Sequence, residues 1–431
     1  MTLVSFRHDC IPTSTLTLSP VLILPQRSQT TFDFETPLSK ISLLVIERPF
    51  NSIDCSGRPI AFGKDSNIVR RRPFLLSVTL GTLLTMNSYA NQRDWNSVSA
   101  ILDKAVADNT IRASSVFFRI GEEVFEKQFG SARSNRSAFL LGSITKPMAI
   151  AAFMTLYDRG MIELNDAVVK YLPEFRGERR DQVTIRHLLT HTSGLPDQLP
   201  DNNHWRRSHA SLKQFSDQAI LLAPRFQPGS QYEYSSMGIL LACEIASRHT
   251  RLSIPDFVES TILKPLQMKH SCLGRKTLDR ADLIAVQTEF AAPEAGGGDP
   301  TAKSWDWNSD YWRDLGAPWG GMHASARDVA LFLESFLQHD GRILRPETSR
   351  MMIRNHNPDS LPSRGLGFDV GLEELGFPRG SSIFGHTGST GTIAWADPER
   401  DRVCVILTSL PGAAIKDHPR LLASQAFSKL S

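Results

Sequence analysis

Leu141-Gly142-Ser143-Ile144-Thr145-Lys146-Pro147 opens an apolar run rich in Ala, Met, Phe and Leu that stops at Asp158-Arg159-Gly160. The composition over residues 149–157 and the closing glycine predict a buried helix. Ser-x-x-Lys at the head of such a helix sets a hydroxyl and an amine on one face, because residues three apart are neighbours there. A serine alone is a poor nucleophile at neutral pH. A lysine kept neutral by burial and nearby positive charge can take its proton. The free N–H groups at the helix start favour a developing oxyanion. By itself the tetrad fits better a helix-capping serine followed by a solvated lysine, so the rest of the chain must decide.

Two further signals follow in order. Tyr234-Ser235-Ser236 comes after the turn signal Pro228-Gly229-Ser230 and just before an apolar helical run over residues 237–246. His386-Thr387-Gly388 precedes Ser389-Thr390-Gly391, and the alternating runs 392–395 and 403–407 read as adjacent strands. An imidazole with Thr and Gly on an edge strand lets a substrate backbone lie alongside. Further strand signals lie at 114–120 and 123–130, and a last helix is expected over 419–429.

Taken together, the three motifs resemble those of the penicillin-recognising serine hydrolases, in the branch of class C β-lactamases, D-alanyl-D-alanine carboxypeptidases and related esterases. The resemblance begins near Asp94 and continues to the C-terminus. It takes in Thr184-Ile185-Arg186-His187-Leu188-Leu189-Thr190-His191-Thr192-Ser193-Gly194-Leu195 and Gly320-Gly321-Met322-His323-Ala324-Ser325-Ala326-Arg327-Asp328 as scaffold. The second of these also reads as a helix opening, with Ser325 as cap and Asp328 three residues on. The resemblance implies an α+β fold: an antiparallel sheet flanked by helices, plus a mostly helical half, with the active site between them.

Carried over residue by residue, it implies that Ser143 is acylated and that Lys146 and Tyr234 act as a coupled proton-transfer pair. It implies an oxyanion hole from the backbone N–H groups of Ser143 and Ser389, and substrate contacts from Ser236, His386, Thr387 and Gly388. No metal and no cofactor are implied. The substrate would be a small acyl ester, amide or peptide.

Two positions depart from the pattern. The second motif ends in Ser236 where the lactamases and peptidases carry Asn, and a hydroxyl cannot serve as donor and acceptor in the same place as an amide. The third carries His386 in place of Lys, so a charge that changes near neutral pH is expected there. Preference for carboxylate-bearing substrates should then fall as pH rises from about 5.5 to 7.5. Both departures favour ester or small-amide hydrolysis over turnover of β-lactams or D-Ala-D-Ala. A true class C β-lactamase or carboxypeptidase is the alternative, as is a non-catalytic, ligand-sensing relative. A carbohydrate-binding module built on the tryptophans of the 305–319 region is a further reading, but it leaves the three motifs without a purpose.

The first 68 of the 431 residues lack sustained periodicity and are read as an unstructured or mis-assigned extension. Arg70-Arg71-Arg72, the apolar stretch 74–86 and Ser88-Tyr89-Ala90 read as a signal peptide over 69–90, which places the product outside the cytoplasm, periplasmic or extracellular. The hydrolase domain then occupies 91–431. The apolar stretch is too short for a stable membrane span. A net charge of +3 with scattered basic residues offers no nucleic-acid footprint. Cys243 is expected in a helix, Cys404 in a strand core and Cys272 in a loop, without a disulfide framework. His187 and His191 lack the Glu of a zinc-protease helix. Trp305, Trp307, Tyr311, Trp312 and Trp319 either line the cleft or pack a long loop onto the core.

Overall fold

The computed structural model describes residues 94–275 and 278–430. The extension read over 1–68 and the signal peptide read over 69–90 lie outside them. Nine strands form two sheets among the described residues: β1 (Ala113–Ile120), β2 (Glu123–Gly130), β3 (Phe139–Leu140), β4 (Ser271–Leu273), β5 (Met322–Ala324), β6 (Asp369–Val370), β7 (Phe384–Gly388), β8 (Thr392–Asp397) and β9 (Arg402–Thr408). The large sheet runs β2-β1-β9-β8-β7-β6 and is antiparallel throughout; β3-β5-β4 form the small one. Helices of nine or more residues are α1 (Trp95–Ala107), α2 (Thr145–Asp158), α3 (Leu212–Ile220), α4 (Ser236–Thr250), α5 (Ala326–Gln338) and α6 (Pro419–Ser428). The fold is therefore α+β, as the motifs imply.

Strand periodicity explains why both faces of the sheet are apolar. Side chains alternate faces along a strand. Val116, Phe118, Ile393, Trp395, Cys404 and Ile406 point into one cluster, shared with Val98 and Leu102 of α1 and Phe427 of α6. Phe117, Ala394, Val403 and Val405 face the other cluster, shared with Val329, Phe332 and Phe336 of α5. The register places Phe118 opposite Cys404 and Phe117 opposite Val405, so each layer continues across the strands. A one-residue slip would exchange the two layers, which is why the register is so well specified.

The second half is helical. Along α2 every residue from Thr145 to Leu156 is buried, because it is enclosed on all sides and packs on α4. Its first turn is preceded by a tight 3-10 turn, Gly142–Ile144. Pro147 is the third residue of α2, where the missing N–H would have no partner in the helix anyway. Ser235 caps α4 by accepting from Gly238 N, and Ser325 caps α5 by accepting from Asp328 N at 3.2 Å. Cys243 and Cys404 are buried and free as expected. Cys272, expected in a loop, is buried in β4, because the short β3-β5-β4 sheet leaves no periodicity long enough to read.

Candidate active site

The junction of the two halves is set by close approaches that only glycine permits. Gly142 has φ +55°, and a Cβ there would stand 3.1 Å from Ser389 N. A Cβ on Gly388 would meet Leu141 O at 2.1 Å. The glycine read as leaving room for a substrate thus makes room for the chain's own Leu141 carbonyl. Thr392 Oγ1 donates to that carbonyl at 2.6 Å, and Thr390 Oγ1 donates to Leu140 O at 2.5 Å. These bonds pin the turn carrying Ser143 against the β7–β8 hairpin, so the backbones of Ser143 and Ser389 lie side by side. Past Gly385 the outer edge of β7 is not covered by β6, which pairs only with Phe384 and Gly385.

Lys146 is fully enclosed. Its Nζ stands 2.9 Å from Ser143 Oγ and donates to Trp319 O at 2.8 Å. Burial lowers its pKa to about 7; Asp197 opposes that shift and Arg364 adds to it. Tyr234 lies between the two cations. Lys146 Nζ is 4.8 Å from its ring centroid and Arg364 Cζ is 5.6 Å from it. The Tyr234 hydroxyl is shut off from solvent and makes no well-formed hydrogen bond. Burial raises the phenol pKa, while Arg364 and the nearby Ser143 hydroxyl pull it down. The sequence-predicted trio of Ser143, Lys146 and Tyr234 is therefore brought together.

Ser236 is buried at the start of α4 and donates from Oγ to Asp197 Oδ1 at 2.5 Å; its backbone N donates to the same oxygen at 3.0 Å. The hydroxyl proton is committed to a carboxylate. At this spot the site therefore presents acceptors, where an Asn would present an acceptor and a donor.

His386 does not supply a conditional charge. Arg364 Nη2 sits 2.9 Å from its Nε2, and since a guanidinium only donates, Nε2 must accept. Nδ1 then carries the proton and donates to Thr387 O at 2.7 Å. Burial, Arg364 and Lys146 hold its pKa well below the ordinary imidazole value even with Asp369 Oδ2 3.4 Å from Nδ1, which speaks against the change of charge expected between pH 5.5 and 7.5. The fixed cation is Arg364, which is buried and ion-paired with Asp369 of β6. His386, Thr387, Gly388 and Ser389 still line a cleft together with Ser143 and Tyr234.

Sequence reading missed Arg364, Asp369 and Asp197. Asp197 lies two residues beyond the Thr184–Leu195 scaffold segment, a usable signal; Arg364 and Asp369 are isolated charges in a Gly-rich stretch with no pattern around them. The two His residues also find their places. His187 closes a capping box with Thr184, and His191 is buried against Tyr234, with ring centroids 4.5 Å apart. Trp305, Trp307, Trp312 and Trp319 are buried, and the last three also line a cavity of about 270 Å³ on the other side of Ser143. Both expectations for these tryptophans thus hold.

The β-lactamase family profile matches residues 99–427. A Salmonella agona protein named "Putative D-alanyl-D-alanine carboxypeptidase" is 26% identical over 315 residues, which cover 66% of this chain and 72% of that protein. Among solved structures, the hydrolase EstCE1, described as having promiscuous acyltransferase activity, superposes with a TM-score of 0.62 at 21% identity, covering 77% of this chain and 97% of its own. The D-amino acid amidase from Ochrobactrum anthropi SV3 gives a TM-score of 0.62 at 23% identity, covering 78% of this chain and 99% of its own. At such identities the structural likeness speaks for the fold. The profile match spans most of the sequence, and the chain belongs to the β-lactamase family of serine hydrolases.

Proposed function

We propose that the protein is an exported acyl hydrolase that cleaves small esters or amides through an acyl-enzyme on Ser143. The observation that carries this reading is the 2.9 Å approach of Lys146 Nζ to Ser143 Oγ, with the amine's pKa lowered to about 7. A neutral amine that spends one N–H on Trp319 O keeps its lone pair for the serine proton. Ser143 Oγ attacks the acyl carbonyl and its proton passes to the Lys146–Tyr234 pair. The carbonyl oxygen, now an anion, is met by the N–H groups of Ser143 and Ser389. Collapse expels the alcohol or amine, which takes the proton from that pair. Water then repeats the sequence in reverse and frees the acid.

Esters are favoured over β-lactams because Ser236 is held by Asp197 and offers no donor for an acyl-amide carbonyl. The membership in a family that includes carboxypeptidases supports peptide-like amides as the second reading. Among the described residues no helix is long and apolar enough to cross a membrane, which is compatible with export of the mature domain.

The test is covalent labelling with a fluorophosphonate and with a fluorescent penicillin. The wild type should label at one serine, and Ser143→Ala should lose both the label and turnover of aryl acetates by orders of magnitude. An acyl-enzyme burst persisting in Ser143→Ala would refute the assignment.

A further inference from the structure

The cavity on the tryptophan side of Ser143 contains a cation that the chemistry above does not use. Arg206 and Arg207 are adjacent in sequence and differently placed. Arg207 is half-exposed and pairs with Asp299 at 2.6 Å. Arg206 is only 4% exposed and lines the cavity together with Ser143 and Lys146. Its guanidinium lies 3.9 Å over the Trp312 ring, and Nη1 donates to Glu294 O at 2.7 Å. Its Nε has no partner, and among the described residues no carboxylate stands within ion-pair distance of it.

A buried guanidinium without a counter-anion is costly to hold and gains most from an anion delivered to it. Trp312 meets Trp319 edge-on at 6.3 Å, and the Trp319 carbonyl receives Lys146 Nζ, so an indole wall leads from Ser143 to Arg206. The other charged groups in the cavity are Asp197, tied to Ser236 beside Lys146, and Glu294, exposed at the mouth. Asp197 would repel an anion close to the scissile carbonyl. A negative group is welcome only further along the wall.

Resting on the acyl-hydrolase reading, we propose that this cavity selects acyl groups with an apolar stem and a distal carboxylate, which Arg206 receives as a charge-assisted pair. Trp312 and Trp319 take the stem. Arg206 is the specificity-determining residue, and Glu294 competes weakly for it from the mouth. The reacting bond is the one already described; the acid released is a dicarboxylate.

The probes are p-nitrophenyl hydrogen adipate and its methyl-capped, uncharged analogue. Adipate is long enough to avoid the self-hydrolysis through a cyclic anhydride that affects succinate and glutarate aryl esters. In the wild type the anionic ester should be preferred by about tenfold in kcat/KM, mainly through KM. Arg206→Gln should bring that ratio to about one. A ratio at or below one in the wild type, or one unchanged in Arg206→Gln, overturns the proposal. Should Arg206→Gln fail to fold, Glu294→Gln decides: removing the competing carboxylate should raise the ratio, and a ratio that stays or falls overturns the proposal. If neither ester is turned over in a Ser143-dependent way, the acyl-hydrolase reading itself has failed. If both are turned over without discrimination, only the Arg206 assignment has.

Discussion

Two buried cations flank the Tyr234 ring and behave in opposite ways. Lys146, on the helical side, has a serine hydroxyl and a carbonyl for partners, and burial brings its pKa to about 7. Arg364, on the sheet side, is locked to the Asp369 carboxylate and to His386 Nε2. Equal burial thus produces a proton carrier in one case and a fixed charge in the other. The difference lies in residue type and in counter-ion: an ammonium with no carboxylate bonded to it gives up its proton more easily when desolvated, whereas a guanidinium keeps its own and Arg364 has the Asp369 carboxylate against it.

The largest effect should come from making the helical side resemble the sheet side. Lys146→Arg keeps the positive charge and loses the titration, so turnover should drop about a thousandfold, within the range for loss of a general base. Tyr234→Phe should also be severely impaired, and the double variant should be little worse than either single one, because groups acting as a unit are not additive. Steady-state kinetics on an aryl ester read both. Losses that multiply would separate Tyr234 from the proton path.

The converse change removes the fixed charge. Arg364→Gln takes the guanidinium from Asp369 and leaves that mostly buried carboxylate only His386 Nδ1, 3.4 Å away, so it should destabilise the fold by about 3 kcal/mol in denaturant titration. Arg364→Gln/Asp369→Asn should recover part of that loss, since it removes both charges. No recovery would mean that packing of the arginine, and not its ion pair, holds the segment.

A gentler change tunes Lys146 through its neighbours. Wild-type kcat should rise with pH through about 7 as the amine becomes neutral. Asp197 raises the Lys146 pKa and Arg364 lowers it, so the two substitutions should move this limb in opposite directions. Asp197→Asn shifts it to lower pH and Arg364→Gln to higher pH. Shifts of the same sign would show that neither residue acts through its charge. The pH-dependent selectivity expected of His386 should be absent, because its Nε2 faces a guanidinium at all relevant pH.

The smallest effect is expected at Ser236. Ser236→Asn restores a side-chain amide next to Asp197 and should raise the ratio of nitrocefin to aryl-ester turnover several-fold. An unchanged ratio would indicate that Asp197, and not the missing amide, sets the ester preference.

Local pattern alone determined much of this protein. The β1–β2 hairpin, the β8 and β9 strands, the apolar α2 and α4 helices, the Ser325 cap and the last helix were all legible. Each depends on short-range periodicity, capping chemistry or turn residues. The grouping of Ser143, Lys146, Tyr234 and His386 was legible too, through motif order. Only the tertiary structure decided what those groups face. The chain brings Arg364 to His386 across 22 positions and Asp197 to Ser236 across 39, and Trp319 reaches Lys146 across 173. A pKa, a tautomer and a committed hydroxyl proton depend on burial and on which partner stands within 3 Å. Neither is written in the order of neighbouring residues, so His386 reads as a titrating base in the sequence and as a neutral imidazole in the fold.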